Sequence, residues 1–80
     1  MDNRNTIAEL RGEVKELTLR ARLDKTDAYA VGRLPAIRFY LADKLFFARL
    51  NHLKAAGKDT TKDVQLSRLS IRLDKALAAL

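Results

Sequence analysis

The stretch that decides the fold is residues 35–56, PAIRFYLADKLFFARLNHLKAA. With about 3.6 residues per helical turn, its apolar residues fall on two sides of a helix. One side, continued from just before the stretch, carries Leu34, Ile37, Leu41, Leu45, Ala48 and Ala55. The other side carries Phe39, Phe46, Leu50 and Leu53. A helix with two apolar sides is expected to lie between two neighbours, so we predict that it is the central helix of an all-α domain.

The residues before this stretch predict a first helix. Thr6 and Glu9 have the spacing of a capping box, which opens a helix. Asp24 interrupts an otherwise apolar seam, and two interpretations stay open: it fixes the register of the seam, or it marks a bend, because Asp and Thr side chains compete for backbone amides. This seam consists of apolar residues spaced three or four apart, which is typical of a coiled coil: Ile7, Leu10, Val14, Leu17, Ala21, Ala28 and Val31.

Two breaks are expected to divide the chain into three helices. Gly32 suits the left-handed residue after a helix and Pro35 suits a first helical turn, so a tight turn is predicted between them. Gly57 is expected to end the second helix, and Thr60 with Asp63 three residues later predicts the start of the third. The prediction is a single domain, a three-helix antiparallel bundle with helices over about residues 6–31, 35–56 and 60–80.

The apolar surface exceeds what one layer of three helices buries. The chain has fourteen leucines and three phenylalanines, and a domain of this size buries only about 60 to 65% of its unfolded surface. Exposed apolar stripes usually mark an interface. We therefore expect a homodimer that forms a larger helical bundle, and a non-catalytic adaptor, inhibitor or chaperone-like protein that binds another protein. The candidate interface residues are Phe39, Phe46, Phe47, Leu50, Val64 and Ile71.

The alternative is a basic regulatory protein that binds nucleic acid. The net charge is +6, and residues 33–58 carry six basic side chains against Asp43 alone. Such cations could neutralise phosphates. The helices are longer than the recognition helix of a helix-turn-helix motif, which favours a protein partner. The candidate phosphate contacts are Arg33, Arg38, Lys44, Arg49, Lys58, Arg68, Arg72 and Lys75.

Catalytic, metal-binding and membrane functions are not expected. The chain has no cysteine and one histidine, His52, on the leucine-rich side of the second helix, where a packing role is predicted. Because a packed histidine does not activate a serine or threonine, no nucleophile relay is expected. Without a second histidine or a cysteine no zinc site is expected, and we expect no cofactor and no small-molecule substrate. No apolar run reaches the roughly 18 residues of a membrane span, and residues 1–5 do not resemble a signal peptide. The expected location is cytoplasmic.

Overall fold

The computed structural model of this protein describes the backbone of residues 3–80 and the side chains of residues 7–80. Three α-helices follow one another, α1 (Asn3–Leu23), α2 (Ala28–Ala55) and α3 (Val64–Ala78), with a 3₁₀ turn at Thr60–Lys62. Both α1 and α3 pack along α2, whereas over the described residues they make little contact with each other. The all-α class, the three packed helices and the central position of the second helix are confirmed.

The first break lies at residues 24–27, so the predicted turn at Gly32 is wrong, as is the predicted extent of the first two helices. Asp24 accepts hydrogen bonds from the backbone nitrogen and the Oγ1 of Thr26, at 2.9 and 2.6 Å. Asp27 then caps α2 by accepting from the backbone N–H three residues later, at 3.0 Å. These two carboxylates bind backbone amides that a continuous helix would use, which ends α1. Of the two interpretations of Asp24, the bend is the correct one.

The helix α2 continues through Gly32 and Pro35. Among the described residues, Gly57 is the only one with a positive φ, at 68°, so Gly32 does not adopt the left-handed conformation of a helix end. A proline inside a helix costs about 3 kcal/mol, and packing against α1 offsets this cost. The buried cluster that joins the two helices at this point contains Leu17, Ala30, Leu34 and Ile37.

The outer boundaries differ from the predicted ones by a few residues. The first helix begins at Asn3 and not at Thr6, and the capping role of the Thr6 side chain lies outside the described side chains. The second break is at Gly57, as predicted. The third helix begins at Val64 because Asp63, not Thr60, caps it.

An ion pair binds the start of α2 to α1, and another binds the start of α3 to α2. Asp63 accepts hydrogen bonds from Nε and Nη2 of Arg49 on α2, at 3.1 and 2.8 Å, and from the backbone nitrogen of Leu66, at 2.8 Å. The Arg49 guanidinium and that backbone N–H lower the pKa of Asp63 from 3.8 to about 2. Arg20 on α1 binds Asp27 through one carboxylate oxygen, since Nε donates to Oδ2 at 3.0 Å and Nη2 lies 2.9 Å from the same atom. Each loop therefore ends in an aspartate that caps the next helix and binds the preceding one.

The three helices form a flat layer with a small aliphatic core. The Cα atoms span 47 × 27 × 15 Å. The chain exposes 5998 Å², about 1,100 Å² more than the roughly 4,900 Å² expected for a compact 9.0 kDa monomer. The leucine spacing of the third helix predicts a core stripe of Leu66, Leu69, Leu73, Leu77 and Leu80, but Leu77 and Leu80 are exposed. The buried residues are Leu17, Ala30, Leu34, Ile37, Leu41, Ala42, Leu53 and Leu66.

Candidate binding surfaces

One side of α2 carries every aromatic residue of the chain, and we call this surface the aromatic face. It consists of Tyr29, Phe39, Tyr40, Phe46 and Phe47. At about 100° per residue, these five side chains fall within an arc of about 120° on the side of α2 opposite Leu41. None belongs to the buried core. An aliphatic core with all aromatic rings outside it is unusual, because aromatic side chains bury the largest apolar areas in most domains.

Four of the five rings of the aromatic face contact each other in pairs, and the guanidinium of Arg20 lies over the fifth, Tyr29, with its Cζ 5.3 Å from the ring centroid. Phe46 and Phe47 are in edge-to-face contact, with ring centroids 5.3 Å apart at an interplanar angle of 86°. Phe39 and Tyr40 have centroids 6.0 Å apart at 57°. Phe47 remains 48% exposed. Tyr29, Tyr40 and Phe47 are exposed and Phe39 and Phe46 are half-buried, so much of this aromatic surface is accessible to a partner.

The structure brings four of the six predicted interface residues together on α2. Phe39, Phe46 and Leu50 are half-buried there, and Phe47 is exposed beside them. Val64 and Ile71 are exposed on α3, turned roughly 150° around that helix from the buried Leu66. They add apolar surface to a second helix and do not belong to the aromatic face.

The opposite side of α2 faces a groove between α1 and α3, which we call the basic cleft. Two cavities of about 350 and 600 Å³ lie in it, and residues of all three helices line each one. Arg72 lines both cavities, so the two adjoin at this side chain. Its basic side chains are Arg11, Arg38, Arg49, Arg68, Arg72 and Lys75.

The basic cleft has an apolar floor and a positive rim. No acidic side chain is among the described residues that line the two cavities. Arg49 is neutralised by its bidentate pair with Asp63, whereas Arg68 and Arg72 are exposed on α3. The apolar lining comes from Val14, Pro35, Leu45, Ala48, Leu69, Ala76 and Ala79.

The predicted phosphate contacts are divided between different surfaces. Five of them line the basic cleft, namely Arg38, Arg49, Arg68, Arg72 and Lys75. The other three, Arg33, Lys44 and Lys58, are exposed but line neither cavity.

Three polar residues that line the basic cleft, Arg11, His52 and Gln65, are not among the binding residues predicted from the sequence. Arg11 is one of several charged side chains along α1, and only the position of α3 shows that it lines the cleft. The packing role predicted for His52 is wrong, because its side chain is exposed at the end of the cleft. It lies on a strip of α2 that α1 and α3 leave open.

Within residues 7–80 there is no group of three or more histidine, aspartate or glutamate side chains placed to hold a metal ion. No described helix is both long enough and apolar enough to cross a membrane. Comparisons with family models, with curated proteins and with solved structures found no match.

Proposed function

We propose that this chain is a non-catalytic helical binding protein, of the adaptor, inhibitor or chaperone-like kind, that acts through protein–protein contact. The aromatic face is its contact surface, and a second copy of the chain is the first partner there. The observation that carries this proposal is that all five aromatic residues lie on one side of α2 and outside the core. Aromatic anchors of this kind dominate the binding energy of protein interfaces.

The layer exposes more surface than a compact monomer of the same mass, and a dimer would bury part of it. The exposed surface exceeds that of a compact monomer by about 1,100 Å², and a standard interface buries about 800 Å² on each partner. A two-fold axis through the middle of α2 would pair the aromatic face with itself. A second layer packed on the first would also give the rings the core environment that one layer does not supply.

Charge gives the dimer a characteristic dependence on salt. Each copy carries a net charge of +6, so two copies repel one another at long range. Added salt screens this repulsion, and the Debye length falls to about 8 Å at physiological ionic strength. We therefore expect dimerisation to strengthen as the salt concentration rises.

The experiment compares two apolar side chains of nearly equal exposure. Phe47, 48% exposed, lies on the aromatic face, and Leu19, 50% exposed, lies on α1. Light scattering on a sizing column should give twice the 9.0 kDa chain mass for the wild type and for Leu19→Glu, and the monomer mass for Phe47→Glu. The melting temperature should rise with protein concentration only in the two dimeric proteins.

A wild-type monomer whose melting does not depend on concentration would refute the dimer. A Phe47→Glu variant that still dimerises would move the interface away from the aromatic face.

Nucleic-acid binding is the second candidate function, and the charge of the basic cleft supports it. Arg38, Arg68, Arg72 and Lys75 could each neutralise a phosphate. The arrangement of the rings counts against it, because proteins that hold single strands stack bases on aromatic side chains beside the basic groove. Here all rings lie on the other side of α2.

A further inference from the structure

We infer that the basic cleft binds an acidic amphipathic helix of a partner protein, about 18 residues long, as a fourth helix of the bundle. The inference rests on the proposed function only in that the partner is a protein. It concerns the side of α2 opposite the aromatic face, so either the dimer or the peptide binding can be disproved without affecting the other.

The cleft lies between two helices that both pack on a third. α1 and α3 both pack on α2 but make little contact with each other, so a groove stays open between them. The lining on α2 extends from Pro35 to His52, which is about 26 Å at 1.5 Å per residue. A helix of about five turns would fill this length and contact all three helices.

The chemistry of the cleft specifies what that helix carries. Leu45, Ala48 and Leu69 on the floor require an apolar stripe. Arg68 and Arg72, one helical turn apart on α3, face a groove that Arg11 lines from α1. Carboxylates on both flanks of the incoming helix would meet these guanidinium groups, which bind carboxylates through two parallel hydrogen bonds. The complementary ligand is therefore apolar along one stripe and acidic on either side of it.

An apolar floor favours such a helix over a nucleic acid. Phosphates would reach the rim arginines, but the bases or sugars would then lie against Leu45 and Ala48 with no ring on which to stack. A helix with Leu or Ala in its stripe buries that floor instead, which is the usual mode of helix-in-groove recognition.

The experiment uses a defined peptide as the probe. It is an 18-residue amphipathic helix with Leu and Ala on one stripe, Glu on both flanks and a fluorescent label. Its control has the same composition in an order that disperses the stripe. Fluorescence anisotropy is measured against the full chain at about 50 and 200 mM salt, and a 20-base-pair DNA duplex and a 20-nucleotide single strand are titrated in parallel.

Two variants with the same change in charge identify the site. In Arg68→Glu/Arg72→Glu the reversed charges line the cleft, and in Arg33→Glu/Lys44→Glu they lie outside it. The cleft variant should bind the peptide at least about tenfold more weakly, and the outer variant should stay within about twofold of the wild type. All four side chains are exposed, and circular dichroism melting confirms that both variants fold.

The amide chemical shifts of the chain, compared with and without the peptide, then locate the binding site. The largest changes are expected at Leu45, Ala48, Leu69 and Arg72. Binding should also weaken with salt, opposite to the dimer, and Phe47→Glu should leave it intact.

Three results would overturn the inference. The first is equal binding of the designed and the dispersed peptide, or no binding of either. The second is an equal loss in the two charge-reversed variants, or shifts centred on the aromatic face. The third is tighter binding of either DNA probe than of the peptide, which would assign the cleft to nucleic acid.

Discussion

Replacing Gly32 by alanine tests whether α2 runs unbroken through this position. Gly32 lies inside the helix without a positive φ, and a Cβ added there has no atom within 4 Å. Alanine in a helix interior is favoured over glycine by about 0.5 to 1 kcal/mol. At about 4 to 8 °C per kcal/mol for a domain of this size, the melting temperature should rise by about 2 to 8 °C.

Gly57→Ala is the matched substitution with the opposite sign. Gly57 has a φ of 68°, where an L-residue costs about 1 to 2 kcal/mol, so this variant should melt lower. Gly12→Ala should also raise the melting temperature, because Gly12 lies inside α1 and a Cβ added there has no atom within 4 Å. Thermal and urea unfolding are followed by circular dichroism, and Gly32→Ala is repeated in the Phe47→Glu background because Gly32 lies on the same side of α2 as the aromatic face.

The sign of the Gly32→Ala effect decides between two structures. A turn at Gly32 with a left-handed glycine would make the alanine variant less stable, as at Gly57. A fall in melting temperature in both backgrounds would therefore refute the continuous α2 and restore the break that the sequence suggests.

The remaining predictions concern the core and the start of α3. The free energy of unfolding should fall by about 2 to 5 kcal/mol in Ile37→Ala and in Leu53→Ala, because each side chain is only 1% exposed. It should change by less than about 0.5 kcal/mol in Val31→Ala, whose side chain is 49% exposed. Similar losses in all three variants, measured by urea unfolding, would contradict the core assignment. Because the pKa of Asp63 is lowered from 3.8 to about 2 in the folded chain, its stabilising contribution is complete above pH 3.8 and is lost as the pH falls toward 2. Urea unfolding across this interval should therefore show a smaller loss for Asp63→Asn and for Arg49→Gln than for the wild type, and unchanged pH profiles would contradict the ion pair.

The loop between α1 and α2 could have been recognised from its residues. Asp24 and Thr26 have the spacing of Asp59 and Thr61, and in both pairs the aspartate accepts from the threonine two residues later. Each loop then ends in an aspartate that caps the following helix. The signal is local, because side chain to backbone bonds over two or three residues depend on sequence spacing alone. The regular apolar spacing on both sides of Asp24 nevertheless predicts one continuous helix and hides this loop from a reading of periodicity alone.

The sequence by itself determined the helical class, the central position of α2 and the break at Gly57, because periodicity and backbone preference act within a few residues. The tertiary structure decided the rest. Gly32 and Pro35 stay helical because burial of Ile37 and its neighbours against α1 outweighs their local preference for a turn. The basic cleft also exists only in three dimensions. Arg11 and Arg72 lie about sixty residues apart in the chain, and no local pattern states that α1 and α3 diverge enough to leave a groove between them.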